Sequence, residues 1–259
     1  MASFEELVAE GAAVPTDGWE FSWFEGRASE ARPSWRYAES LAGRLARAGA
    51  ALDVQTGGGE VLDFALGRAA PAAPDRVVAT EGWPPNLAKA TALLAARGVT
   101  VVGAGEDDPL PFPDASFDLV SSRHPVRPRW AEVVRVLRPG GTYFAQHVGP
   151  ASVFELTEFF LGAQPEEARR VRDPEGERAA AEAAGLEVLE LRAERLRMEF
   201  HDVAAVVHFL RKVVWIVPGF TVERYAARLR ELDERIRAEG PFVAYSTRHL
   251  FDARRAERG

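Results

Sequence analysis

The sequence predicts an α/β fold built on a mostly parallel sheet, and three observations point there. The first is the stretch Ala50 to Glu60, where a short apolar run (Ala50, Ala51, Leu52, Val54) stops in a glycine loop, Gly57-Gly58-Gly59, ahead of a helix-compatible segment. Strand, tight turn and helix start in that order aim backbone N–H groups at a ligand, and all three glycines are expected at positive φ, where a Cβ would be strained. The second is the alternation that follows, in which short β-branched or aromatic runs take turns with amphipathic segments, the mark of βαβ units. The third is Glu81, which closes the second apolar run about 20 residues beyond the loop, where a carboxylate meets both hydroxyls of a ribose.

The elements follow in order. A short helix is expected from Ser3 to Ala13, then a loop and an aromatic segment (Trp19, Phe21, Trp23, Phe24) that either packs on a core or closes over a ligand. Leu41 and Leu45 repeat at helical spacing between Tyr37 and Arg47. After the opening strand and its helix, strands are expected at Arg76–Thr80, Val99–Val102, Phe117–Ser121 and Thr142–Val148. The helices between them begin at Pro84 and at Trp130, the second ending at Leu137 before Pro139-Gly140-Gly141. Beyond lie helices at Ser152–Leu161 and Glu175–Ala184, a strand at Leu186–Leu191, helices at Phe200–Leu210 and Val222–Ala238, and an alternating strand at Phe242–Phe251. The expected domains are an N-terminal helical and aromatic cover (1–49), a core (50–194), a helical insertion over the ligand crevice (195–240) and the last core strand with its tail (241–259).

Composition narrows the function. The chain has 259 residues, no cysteine and a formal net charge of −7, so disulfides, thiolate metal sites and a cysteine nucleophile are excluded. Lys89 and Lys212 are its lysines, and the acidic balance argues against nucleic acid as partner, since that affinity rests on clustered cations. No apolar run is long enough for a membrane span and no signal peptide is visible, so a cytoplasmic protein acting without membrane or nucleic acid is expected. No Gly-Lys-Ser/Thr follows the loop, which rules out a P-loop, and Gln55 and Thr56 spoil a nicotinamide fingerprint. No His, Asp or Glu spacing suggests a metal site.

Four segments together carry a resemblance: Leu52 to Glu60, then Glu81, then Leu110-Pro111-Phe112-Pro113-Asp114-Ala115-Ser116-Phe117-Asp118-Leu119-Val120, then Arg135-Val136-Leu137-Arg138-Pro139-Gly140-Gly141. Over about Leu41 to Val148 the chain resembles the class I S-adenosylmethionine-dependent methyltransferases, with the ubiquinone and menaquinone biosynthesis enzymes as the nearest flavour. The resemblance implies a Rossmann-like sheet, mostly parallel with an antiparallel last strand and a helical insertion between the last two strands. It also implies S-adenosyl-L-methionine as cofactor. Asp53, Thr56, Gly57 and Gly59 would then surround its methionine half, Glu81 its ribose, with Gly82 and Trp83 beside the adenine. Glu106 would reach the adenine amino group, the Asp107 backbone would meet the ring, and Ser122 would complete the site. Two positions depart from the pattern: Gln55 stands where a small residue is usual, and Glu106 where Asp is usual.

Methyl transfer needs an aligned nucleophile and, for some acceptors, a base. His124, just past the fourth core strand, is the expected base because imidazole titrates near neutrality; His147 is the next candidate. Gln146 and His201 are expected on the substrate side, with Asp202 beside His201, while His249 is expected to be structural. Arg27 or Arg32 would pair with the cofactor carboxylate. The expected function is methylation of O or N on a small molecule, the alternatives being a non-catalytic cofactor-binding protein or an RNA methyltransferase.

Overall fold

The computed structural model describes residues 2–16 and 21–257, so Trp19 of the aromatic segment lies outside the described residues. The elements are α1 (Phe4–Ala13), β1 (Ala28–Glu30), α2 (Tyr37–Leu45), β2 (Ala50–Asp53), α3 (Glu60–Ala69), β3 (Arg76–Glu81), α4 (Pro84–Leu94), β4 (Thr100–Gly103), β5 (Phe117–Arg123) and α5 (Trp130–Val136). They continue with β6 (Leu137–Val148), α6 (Phe154–Leu161), α7 (Glu166–Arg170), α8 (Pro174–Ala183), β7 (Leu186–Phe200), α9 (Val203–Lys212), α10 (Ala226–Glu239) and β8 (Phe242–Arg255). The chain divides into two compact units: residues 1–32, 150–171 and 195–247 form the first, and 33–149, 172–194 and 248–259 the second. The strands β7 and β8 each contribute to both.

In the second unit the sheet runs β7-β8-β6-β5-β2-β3-β4. The β2–β3, β3–β4, β2–β5 and β5–β6 pairs are parallel, and β8 lies antiparallel to β6 with His147 opposite His249. Every residue of β2 is buried, which is why it reads as a continuous apolar run: a parallel strand covered on both faces has no solvent side to mark with polar residues. One face carries Leu41, Leu45, Leu62, Leu66 and Leu94 from α2, α3 and α4; the other carries Leu52, Phe117, Val120 and Tyr143 under α5 and α8. The chain leaves β2 toward β3 and β4, then returns to place β5 on the other side of β2. That reversal opens a crevice beyond the carboxyl ends of β2 and β5, where ligands of such sheets bind.

Helix α5 ends one residue earlier than its periodicity suggests, and β6 takes up Leu137 at once, so Pro139-Gly140-Gly141 lies within the strand span rather than in a separate loop. The Leu110 to Asp114 segment is pinned from α5. Arg135 donates to the carbonyls of Phe112 and Leu110 at 2.7 and 2.8 Å, and Glu132 accepts from the Leu110 N–H at 2.7 Å.

In the first unit, α9 is buried on nearly every side and packs among α1, α6 and α10 around Phe200, Val206, Leu210 and Leu229. A helix apolar all round belongs in a core. Strand β7 runs on to Phe200, where β1 pairs with it, so the segment from Arg195 opens as strand and becomes helical only at Val203. Phe24 of the aromatic segment stacks on His208 with ring centroids 4.9 Å apart and belongs to this core. No helix among the described residues is long and apolar enough to cross a membrane.

Candidate active site

The β2–α3 loop is held rigidly. Thr56 N–H donates to the Thr80 carbonyl at 2.9 Å and Val54 N–H to the Ser121 carbonyl at 2.8 Å, which ties the loop to both neighbouring strands. Gly57 and Gly59 have φ of 66° and 85°, and Gly59 caps α3 with no side chain over the helix N-terminus. Gly58, also expected at positive φ, does not adopt it; the third left-handed residue of the loop is Gln55, at φ 55°. Its side chain accounts for the departure from a small residue, since Oε1 accepts from the Val126 N–H at 2.9 Å and bridges the glycine loop to the segment after β5.

Two acids flank the loop. Asp53 is buried, and burial pushes its carboxyl up to about 6; the Ser121 hydroxyl, donating to it at 2.6 Å, pulls the other way, and the Glu81 charge adds to the rise. Glu81 ends β3 and accepts from the Gly57 N–H through one oxygen and from the Trp83 N–H through the other, both at 2.8 Å. Each oxygen keeps a lone pair for a further donor. The Thr56 hydroxyl lies beside Asp53 and, like Ser121, helps to hold that carboxyl down.

A cleft opens at these strand ends, and its lining includes Val54, Gln55, Thr80, Ala104 to Glu106, Asp108, Leu110, Ser122, Pro125 and Tyr143. Glu106 and Ser122 thus border it, although the Ser122 hydroxyl is spent on the Val54 carbonyl at 2.8 Å. Asp107 does not: its carboxylate pairs with Arg127, and Asp108 takes the lining position. Gly82 lies where a Cβ would come within 2.9 Å of the Ala104 carbonyl oxygen, so the β3 and β4 ends approach as closely as backbone allows. Trp83 keeps 45% of its surface exposed.

His124 follows β5 with φ 58°. The Trp35 indole N–H can only donate, and it donates to Gln146 Oε1 at 2.8 Å. The Gln146 amide nitrogen therefore faces His124 Nε2, 2.7 Å away, and that ring nitrogen must accept. The relay makes the neutral ring carry its proton on Nδ1. Burial, with Arg123 and Arg248 nearby, also holds the imidazole well below its usual pKa. The expected base is consequently a neutral ring whose basic nitrogen is engaged, and Gln146, buried between Trp35 and His124, orients that ring rather than facing a substrate.

His147 departs further from expectation. It is 2% exposed, Tyr143 Oη lies 2.9 Å from its Nε2, and Glu177 Oε2 lies 2.5 Å from its Nδ1. Both ring nitrogens are occupied, which leaves none for a substrate proton. The same Glu177 oxygen lies 2.8 Å from His249 Nε2, and the two imidazoles hold the Glu177 carboxyl down to about 2 against the opposing effect of its burial. The sequence shows no metal spacing, yet the fold gathers His147, Glu177 and His249 with ligating atoms within 4.8 Å of one another.

His201 and Asp202 belong to the first unit. Asp202 caps α9 through the Ala205 N–H at 2.7 Å and pairs with Arg27 at 3.2 Å, while Arg27 also binds Glu10 at 2.6 Å. Arg27, expected on the cofactor carboxylate, is thus committed within its own unit. His201 keeps 41% of its side chain exposed, its ring 3.9 Å from Glu199.

Residues 52–145 match the family model described as a methyltransferase domain. Over that segment the chain is similar to methyltransferase domains, and its sheet has the Rossmann-like order of class I methyltransferase folds. Among solved structures, a Bacillus halodurans protein assigned as a methyltransferase aligns with a TM-score of 0.59 at 20% identity, over 85% of this chain and 98% of that one. A Galdieria sulphuraria protein assigned as a sarcosine dimethylglycine methyltransferase aligns at 0.54 and 16%, over 98% of both chains. In sequence, the biotin biosynthesis bifunctional protein BioHC of Teredinibacter turnerae is 28% identical over 117 residues, which span 42% of this chain and 20% of that protein's length.

Proposed function

We propose that the chain is an S-adenosylmethionine-dependent methyltransferase that moves a methyl group to an oxygen or nitrogen of a small-molecule acceptor. The observation that carries this reading is the gathering, at the carboxyl ends of β2 and β3, of the left-handed Gly57/Gly59 turn, the Glu81 carboxylate bound to the Gly57 N–H, and the Thr56 hydroxyl beside the buried Asp53. These groups fit the cofactor. The Thr56 hydroxyl and the loop N–H groups suit a carboxylate, the buried Asp53 suits the adjacent ammonium, and the second lone pairs of Glu81 suit the ribose hydroxyls. Glu106, on the lining of the cleft, would reach the adenine. When bound, the cofactor supplies an electrophilic methyl group on a sulfonium. The acidic, cysteine-free chain suits a cytoplasmic enzyme that uses neither nucleic acid nor membrane.

The protein's own contribution is alignment. His124 presents Nδ1–H, a hydrogen-bond donor, so it orients an acceptor rather than deprotonating it. The preferred acceptor is then one with a free lone pair at neutral pH, an ionised oxygen or an unprotonated amine. Incubation with methyl-labelled cofactor and pools of carboxylates, phenols and amines tests this. Label transfer to one class identifies the acceptor atom. Tight cofactor binding without transfer to any of them would favour the second reading, a non-catalytic cofactor-binding protein, which the engaged nitrogens of His124 and His147 also support.

A further inference from the structure

We propose that His147 Nδ1, His249 Nε2 and the Glu177 carboxylate form a binding site for one divalent ion of the zinc class. The three side chains come from three elements, β6, β8 and α8. The histidines are direct cross-strand partners, and their rings lie 5.0 Å apart between centroids. Both rings turn a nitrogen to the same oxygen, Glu177 Oε2, at 2.5 and 2.8 Å. Two imidazoles and a carboxylate are a donor set that zinc takes at about 2.0–2.2 Å in tetrahedral sites, with ligand atoms about 3.4 Å apart and the fourth position left to water or substrate. The two nitrogen–oxygen separations are shorter than that value, and a small rotation of Glu177 on α8 opens the space. Glu177, with 15% of its side chain exposed beside two almost fully buried imidazoles, is the way in.

A further feature fits a ligand site. The outer nitrogen of His147 is already held by Tyr143 Oη at 2.9 Å, the second contact that orients a metal-ligating imidazole. On binding, each ring moves its proton to the nitrogen facing away from the ion. His147 then donates to Tyr143, no net proton is released, and the single charge of Glu177 partly balances the ion.

The test uses the full chain, stripped with a chelator and titrated with Zn²⁺ by calorimetry and with Co²⁺ by visible absorption. The proposal expects one equivalent of each, with Co²⁺ bands of a low-symmetry nitrogen and oxygen site. Glu177→Gln and His249→Gln should lose that uptake, while Tyr143→Phe should weaken it about tenfold. Circular dichroism identifies any variant that fails to fold, and the wild-type titration stands regardless. Absence of stoichiometric uptake by the folded wild-type chain, or equal uptake by folded Glu177→Gln and His249→Gln, would overturn the proposal.

Discussion

At the scale of single residues, Asp53 holds a carboxylate where water does not reach it. Its pKa of about 6 in the fold lies above the roughly 3.9 of an unfolded Asp, so the ionised form is disfavoured by about 3 kcal/mol. The sign follows. Below about pH 4 the group has no effect, stability falls as the pH rises from 4 to 6, and the full cost stands at pH 7. Asp53→Asn should therefore unfold at higher denaturant than the wild type at pH 7, with the gap closing near pH 4. Equal stability at both pH values would mean that Asp53 is solvated. The same carboxylate is worth keeping if a cationic ligand group neutralises it. His124 offers a second residue-scale check. Long-range ¹⁵N NMR at pH 7 should find a neutral ring protonated on Nδ1, and Trp35→Phe should release that tautomer by freeing Gln146 to flip. A charged ring at pH 7 would contradict the relay.

At the scale of elements, α5 acts through Arg135 and Glu132 as a clamp on the Leu110 to Asp114 segment that borders the cleft. Hydrogen bonds from a charged group are worth about 1.5–3 kcal/mol where partly shielded. Arg135→Ala should thus cost about 2 kcal/mol in urea unfolding, whereas Arg170→Ala, which removes an exposed α7 pair with Glu166, should cost under about 0.5. Equal losses would show that the clamp is no stronger than a surface pair. The elements legible in the sequence were those whose burial is simple. The strand β2, covered on both faces, reads as an apolar run, and β8 alternates in its residues. The end of α5 was not legible because its Val133-Val134 to Val136 stretch continues equally well as helix or strand, and the end of β7 because Arg192 to Phe200 holds no β-branched residue to mark a strand before its pairing with β1 decides. The His147, Glu177 and His249 cluster was invisible for another reason. Its members stand 30 and 72 positions apart, and only the β6–β8 register and the placement of α8 unite them. Gln55 could be flagged as a departure, but its bridge to Val126 depends on a left-handed backbone that composition does not reveal.

At the scale of the whole molecule, each compact unit carries a group that makes it sensitive to acid. In the second unit Glu177, held at about 2, lies below the ordinary 4.3 of a Glu, so its contribution is complete above that value and is lost as the pH falls toward 2. In the first unit burial lowers His208 to about 4, and the neutral ring it requires becomes costly as the pH falls from about 6.5 to 4. Thermal unfolding followed against pH should show melting temperature falling first below pH 6.5, where His208 and the buried His124 both contribute and Asp53 opposes them, and again below pH 4.3. His208→Phe should reduce the first fall and Glu177→Gln the second. A single fall unaffected by either variant would place the acid-sensitive groups elsewhere.

The central claim is that the crevice beside Gly57, Gly59 and Glu81 holds S-adenosylmethionine, and calorimetric titration tests it most directly. S-adenosylmethionine and S-adenosylhomocysteine should both bind with one site per chain. Glu81→Gln, which weakens the acceptor for the ribose hydroxyls, should lower both affinities about 10- to 100-fold. No heat of binding from either compound, or affinities unchanged by Glu81→Gln, would contradict the assignment of this crevice.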